Sequence, residues 1–386
     1  MIAQSIAVRV FWTSAAVIIY TYALYPAILW LLASRRSVRT PPEPDDSALP
    51  NVSVLIVAHN EASFIRERID NLLALDYPRE KLELVVASDG SRDATNDIVR
   101  SYSHQSVSLF AYGVNAGKAA TLDAAVPRLR GDVVVLSDAN TMMEPHAVRR
   151  LVRWFEDPRV GVVCGKLVLT DPATGLNVDS VYWRYETFLK RCEGKLDALL
   201  GANGAIYAMR RSLFPGIHAS TIVDDFVIPL VARIRSGCRI VYDETAIAVE
   251  ETPPDIAMEF RRRARIGAGD FQSLGLVWPI LNPANGWVAF TFISHKLLRW
   301  LCPFFLVGLL VANLMLVNKP LYAVLLVLQL CAYAAASAGQ FLFRGSPTGR
   351  VMRLATMFAT MNAALLVGFF RWATARQHGT WDRTAR

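Results

Sequence analysis

Apolar positions along the chain follow two different regimes. Four stretches carry no charge for roughly the 20 residues a membrane-crossing helix needs. They lie between Arg9 and Arg35, Arg299 and Lys319, Lys319 and Arg344, and Arg353 and Arg371. The polar middle instead alternates short apolar runs with helical periodicity. Strands are expected at Val52–Val57, Leu82–Ala87, Val107–Tyr112 and Val133–Leu136. Helices are expected between them, from about Ala62 to Leu75, Ala94 to Ser101 and Lys118 to Val126. Strictly alternating strand and helix predicts an α/β fold, a Rossmann-like, mainly parallel sheet with helices on both faces.

The first uncharged stretch runs past the usual h-region of a signal peptide and no A-x-A site follows it, so it reads as an uncleaved anchor. Arg and Lys beside the spans set the orientation. Arg35, Arg36 and Arg39 follow the first span, and Arg261, Arg262, Arg263 and Arg265 precede the second, which puts the polar domain in the cytoplasm. The loop with Arg344, Arg350 and Arg353 falls on the same side and the Asn318-Lys319-Pro320 turn outside. The tail residues Arg371, Arg376, Arg383 and Arg386 run against this alternation. Trp287 to Trp300, with His295, Lys296 and Arg299, has the pattern of a helix lying in the membrane interface. The expected organisation is an anchor at 1–34, a proline-rich linker at 35–50, a globular domain at 51–285, a membrane region at 286–373 and a basic tail at 374–386.

Composition sharpens this picture. The 386 residues are 53% hydrophobic with a net charge of +8. The excess Arg sits beside spans rather than in a basic stripe interleaved with aromatics, which argues against a nucleic-acid partner. Five cysteines without a CxxC exclude a disulfide framework or zinc knuckle and fit a reducing compartment.

Sheets of this kind meet ligands at the carboxyl ends of their strands. Polar clusters end each predicted strand: His59-Asn60-Glu61, Ser88-Asp89-Gly90-Ser91, Asn115-Ala116-Gly117-Lys118 and Ser137-Asp138-Ala139-Asn140. Asp138 and Asn140 offer hard oxygen ligands suited to Mg²⁺ or Mn²⁺ bound with substrate phosphates; the same spacing also makes a plain turn. Lys118, at a helix start, suits a phosphate or is a solvated surface lysine. Asp89 either accepts a hydrogen bond from a base or ribose or caps the next helix. Asp224-Asp225 pairs two carboxylates, suited to general-base work or to a helix cap. Arg262, Arg263 and Arg265 suit a leaving diphosphate or lipid phosphates, the lipid reading being favoured for Arg261 and Arg263.

Taken in order, Val52 to Glu61, Ser88 to Asp93, Gly117-Lys118, Asp138-Ala139-Asn140 and Asp224-Asp225 resemble family 2 glycosyltransferases of the GT-A fold. The likeness is greatest to the membrane branch containing cellulose, hyaluronan and poly-N-acetylglucosamine synthases, and it runs from about Val52 to the C-terminus. Each motif is loose; the five in this order are specific. The resemblance implies that Ala58, His59 and Glu61 border the nucleoside, Asp89 the base and Lys118 the nucleotide. It puts Asp138 and Asn140 at the metal and diphosphate, with Mg²⁺ or Mn²⁺ as cofactor, and makes Asp225 the general base. Gly201, Ala202 and Asn203, with Asp224 and Arg262, would line the acceptor site, and Arg265 the donor diphosphate. The implied reaction is an inverting transfer from a nucleotide-sugar, a UDP-sugar favoured, to a saccharide or lipid-linked acceptor. It would serve exopolysaccharide or envelope glycan synthesis at the inner membrane, among membrane lipids. Alternatives are a polyprenyl-phosphate or lipid-linked single-sugar transferase, or a silent nucleotide-sugar binder that regulates a partner. Three departures stand out: Asn140 replaces Asp, Asp224 replaces Glu, and Arg262 and Ile266 replace the Gln and Trp of Q-x-x-R-W. The missing Trp leaves processive synthesis without its usual acceptor contact.

Overall fold

The computed structural model describes residues 2–170, 181–251, 256–342 and 347–377. Arg344 and the tail beyond Gln377 therefore lie outside the described residues. Two compact units form. One comprises Ala33–Pro254 with Gln272–Ala289, and the other Met1–Leu32, Asp255–Phe271 and Phe290–Gln377. The longer helices, in chain order, are α1 (Ile2–Ser34), α2 (Ile65–Leu73), α3 (Thr95–Ser101), α4 (Lys118–Ala125), α5 (Ala147–Val152) and α6 (Val181–Lys195). They continue with α7 (Asp224–Ser236), α8 (Ile256–Val277), α9 (Trp287–Met315), α10 (Pro320–Leu342) and α11 (Pro347–Ala373).

The first unit is built on strands β1 (Val52–Ala58), β2 (Leu82–Asp89), β3 (Val107–Tyr112), β4 (Val133–Asp138), β5 (Thr141–Met143), β6 (Val160–Thr170), β7 (Tyr207–Arg210) and β8 (Arg239–Glu251). They form one eight-stranded sheet in the order β3-β2-β1-β4-β7-β6-β8-β5. β1 through β4 are parallel to one another, β7 runs antiparallel to β4 and β6, and β6 is parallel to β8. Every residue of β1 is buried, as a central strand covered on both faces requires. The main core packs Val54, Ile56, Val86 and Val135 against Ile65, Ile69 and Leu72 of α2.

Register decides what the sheet presents. Ala58 pairs with Ser88, Asp89 with Tyr112 and Val57 with Asp138, so β1 to β4 end along one edge. β7 enters at that same edge, because Tyr207 pairs with Leu136. Its preceding loop, residues 201–206, is delivered beside Asp138 by topology.

The proline-rich segment is strapped to the domain. Lys81 Nζ donates to the carbonyls of Asp46, Ser47 and Leu49 at 2.8–2.9 Å, while Arg149 pairs with Asp46 and Arg150 with Glu43.

The helical unit holds four helices long and apolar enough to cross a membrane, with described spans Ile2–Ser34, Trp287–Met315, Pro320–Ser337 and Leu354–Ala373. Ala7 and Phe11 of α1 pack against Ala312, Leu316 and Tyr322. Gly267 and Gly368 let α8 and α11 touch backbone to backbone, since a Cβ on Gly368 would lie 2.7 Å from the Ala264 carbonyl. Trp287 to Trp300 runs without a break into the span that follows and forms the first turns of helix α9. Its polar groups are absorbed by packing: Ser294 and His295 are buried, and Ser294 Oγ hydrogen-bonds Tyr20 Oη at 2.8 Å. A π-helical turn at Phe292–Leu297 accommodates them.

Candidate active site

The loops after β1, β2 and β3 are fastened together. His59 Nδ1 donates to the Asp89 carbonyl at 2.6 Å, and its Nε2 accepts from Asn115 Nδ2 at 3.1 Å. The Asp89 carboxylate is fully buried. Its two oxygens accept the backbone N–H groups of Ala116 and Gly117 at 2.8 and 2.9 Å. Asp89 thus neither caps α3 nor presents its carboxylate on the surface; it holds the loop that carries Lys118. Gly90 makes the crossing possible, with φ at +65° and a Cβ that would meet Asn115 N at 2.4 Å. Ala58 is fully buried behind this shelf, while His59 and Glu61 are half-buried at its rim.

Lys118 reaches from the start of α4 to the end of β4. Its Nζ lies 2.8 Å from Asp138 Oδ1 and 3.2 Å from Asp224 Oδ2. Burial by itself lowers the Lys118 pKa, but the carboxylates of Asp138, Asp224 and Asp225 outweigh it and hold the ammonium above its ordinary value. Burial raises the Asp224 pKa; Lys118 opposes this, and neighbouring Asp225 and Asp138 add to it. Asp224 and Asp225 open α7, where helix-terminal N–H groups favour negative charge.

Asp225 differs from its neighbour. Asp224 is 7% exposed and tied to Lys118, whereas Asp225 is partly exposed. Its Oδ2 accepts the Gly204 N–H at 2.9 Å, and its carbonyl accepts the Ala202 N–H at 2.9 Å. The 201–204 loop therefore hangs on Asp225. A Cβ built on Gly204 would lie 3.3 Å from Asp138 Oδ2, 3.4 Å from Asp225 Oδ2 and 3.6 Å from Lys118 Nζ. One point is thus shared by three side chains from β4, α7 and α4.

The structure brings Lys118, Asp138, Asp224 and Asp225 together with Gly201 to Gly204. Asn140 stands two residues past Asp138, where its Nδ2 donates to Glu250 Oε1 at 3.1 Å. Arg262 and Arg265 lie on α8 in the helical unit, where Glu259 pairs with Arg263 at 2.6 Å and Arg262 at 3.9 Å. A cavity of about 670 Å³ lined by Arg36, Arg39, Trp154, Lys195 and Arg239 opens at the amino ends of β6 and β8, the other edge of the sheet.

Several residues at the site escape sequence reasoning. Lys190 of α6 donates to Asn203 Oδ1 at 2.7 Å and steadies the 201–204 loop. Tyr207 is 1% exposed and the acids raise its pKa further above the value burial sets. Arg68 is fully buried on α2. Its signal was available: it interrupts the apolar stripe Ile65, Ile69, Leu72 at a core position.

Sheet and site together form an α/β domain whose polar side chains gather at the carboxyl edge of its parallel strands. Residues 53–214 match the profile of Glycosyl transferase family 2. A probable glycosyltransferase YdaM of Bacillus subtilis (strain 168) is 30% identical over 238 residues, covering 58% of this chain and 56% of that protein. The poly-beta-1,6-N-acetyl-D-glucosamine synthase of Staphylococcus aureus (strain COL) is 23% identical over 275 residues, covering 66% of this chain and 65% of that one. The chain thus spans between half and two thirds of the length of these curated relatives. Among solved structures, the mannosyltransferase PcManGT of Pyrobaculum calidifontis, in complex with GDP-Man and Mn²⁺, shares the fold. Its TM-score is 0.70 at 22% identity, over 97% of this chain and 99% of that one. Residues 53–214 of the polar domain thus match family 2 glycosyltransferases, on a fold shared with that mannosyltransferase.

Proposed function

We propose that the chain is an inverting, membrane-embedded glycosyltransferase with its catalytic domain in the cytoplasm. It moves a sugar from a nucleoside-diphosphate donor, a UDP-sugar favoured, to a membrane-associated saccharide in exopolysaccharide or envelope glycan synthesis. The supporting observation is the convergence of Lys118, Asp138 and Asp225 on Gly204. The synthase relative supports the glycan class, and the four long apolar helices support the membrane setting.

Asp225 is the base. One carboxylate oxygen is held by Gly204 N–H, and the other makes no hydrogen bond among the described residues. That oxygen takes the acceptor hydroxyl proton as the hydroxyl oxygen bonds to the anomeric carbon. The bond from that carbon to the diphosphate oxygen breaks, and its electron pair leaves with the diphosphate. Displacement from the opposite face inverts the configuration. Lys118 sets a positive charge beside the departing diphosphate, and Asp224 keeps Lys118 in place.

Asp138 fits a divalent cation: 32% of its side chain is exposed, and Mg²⁺ or Mn²⁺ commonly binds through one or two carboxylates plus substrate phosphates. Asn140, as bonded to Glu250, is not part of that set. A cation bound there would offset the negative charge that grows on the leaving group.

The test is release of nucleoside diphosphate from nucleotide-sugars by the full chain in membranes, with and without Mn²⁺. Asp225→Asn should lose at least about a hundredfold in turnover while still binding donor. Wild-type turnover in that variant would remove Asp225 from the role, and a wild-type chain that binds donor without turnover would be a silent binder.

A further inference from the structure

Arg68 is a charge in an apolar place. It is fully buried on the face of α2 that packs Ile65, Ile69 and Leu72 into the core. Leaving a guanidinium in such a position costs several kcal/mol unless nearby charge offsets it. No carboxylate lies within ion-pair distance of it among the described residues. Its hydrogen bonds go to neutral groups, Nη2 to Ser137 Oγ at 2.8 Å and Nη1 to Asn71 Oδ1 at 2.6 Å, and Nε has no partner. An apolar side chain would fill the site more cheaply, so packing does not explain the arginine.

What it underlies does. Ser137 precedes Asp138, and its Oγ also donates to the Ala205 carbonyl at 2.6 Å, next to Gly204. Asn71 clamps Met143 in both directions, donating to its carbonyl and accepting its N–H at 2.9 Å each. One guanidinium therefore braces both flanks of the turn from Asp138 to Asn140, and through Ser137 the 201–205 loop. Burial lowers its pKa to about 9 and Asp138 opposes that fall, so the two charges feel each other through the sheet end. The acid cluster holds Asp138, Asp224 and Asp225 against Lys118. Without a second cation, a diphosphate entering there would face a larger excess of negative charge.

We infer that Arg68 is a positioning residue for the donor's diphosphate, a buried cation beneath the Asp138 turn that biases the site toward polyanionic phosphate. The inference rests on the nucleotide-sugar reading of the same site and names a residue that this reading does not require.

Arg68→Met should fold. Ser137 keeps its bond to Ala205 and Asn71 its bonds to Met143, and replacing a buried charge by an apolar side chain is often neutral or stabilising. The experiment measures equilibrium binding of UDP and uridine, with GDP and guanosine in parallel, to the full chain in detergent with EDTA, together with thermal unfolding. The variant should bind the favoured diphosphate about tenfold more weakly, bind the matching nucleoside as wild type does, and unfold at an equal or higher temperature. Equal diphosphate affinity in variant and wild type would overturn the inference. So would parallel loss of nucleoside binding, a lowered unfolding temperature or failure to fold, since each would make Arg68 a structural prop. Failure of the wild type to bind any of the four ligands would instead strike at the nucleotide-sugar reading.

Discussion

Gly204→Ala puts one methyl group at the point where the reacting groups are inferred to meet. The backbone of Gly204 lies outside the left-handed region, so alanine is conformationally allowed there. The new Cβ would stand 3.3 Å from Asp138 Oδ2 and 3.4 Å from Asp225 Oδ2, with Lys118 Nζ at 3.6 Å. The first distance is tighter than ordinary contact and the others lie at or just inside it, so the carboxylates need yield only a few tenths of an ångström. That small clash is opposed by the lower entropy of the unfolded chain, worth about 0.4–1 kcal/mol for glycine to alanine. Stability should therefore stay within about 1 kcal/mol of wild type. Activity should not. The methyl occupies space between the proposed phosphate side and the proposed base, and because a misplacement of about 1 Å at reacting groups can cost about 100-fold, a loss of about 10-fold or more is expected. Nucleoside diphosphate release by the full chain, read beside its unfolding temperature, separates the two effects. Wild-type turnover in a folded Gly204→Ala protein would refute the placement of the reaction between these three side chains.

Two further outcomes follow from charges on the sheet. Glu83 accepts hydrogen bonds from Ser53 Oγ, from the Arg130 N–H and from Arg130 Nε; burial by itself raises its pKa, but these contacts outweigh it and depress it. A depressed carboxylate stabilises the fold above its unfolded pKa and loses that contribution as pH falls through the folded value, so Glu83→Gln should cost about 1–2 kcal/mol at pH 7 and progressively less in acid. Unfolding curves of variant and wild type that stay a constant distance apart from neutral to acid pH would contradict this. Asn140→Asp should destabilise the domain by about 1–3 kcal/mol without lowering the Mn²⁺ concentration needed for activity. Its amide donates to the buried Glu250 carboxylate, and activity at lower Mn²⁺ than wild type needs would show that position 140 does face the metal.

β1 and β4 were legible as runs of apolar, largely β-branched residues ending in a polar cluster, the form a doubly covered parallel strand takes, while β2 and the edge strand β3, with Glu83 and Ser108 inside them, were legible from the polar clusters that follow them. β5 and β7 are three and four residues long, too short to show a period, and β6 and β8 pair through register shifts that blur alternation. Those strands nonetheless set the site. β7 delivers the 201–204 loop to Asp138, and β8 brings Glu250 beside Asn140. Asp89 was legible as a site residue but its contact was not, because a buried carboxylate bound by two backbone N–H groups of a distant loop leaves no local pattern. Arg68 was written plainly as a charge on an apolar stripe, yet such a residue gains meaning only once β4 is known to end above it. Asn140 shows the same limit from the other side. Beside the family's pattern it reads as a weakened metal ligand. In the fold it answers to Glu250, a buried carboxylate more than a hundred residues away. An aspartate there would set two acids against each other within 3.1 Å of the present amide contact. The Glu250 neighbour on β8 thus gives the amide at position 140 a structural role of its own.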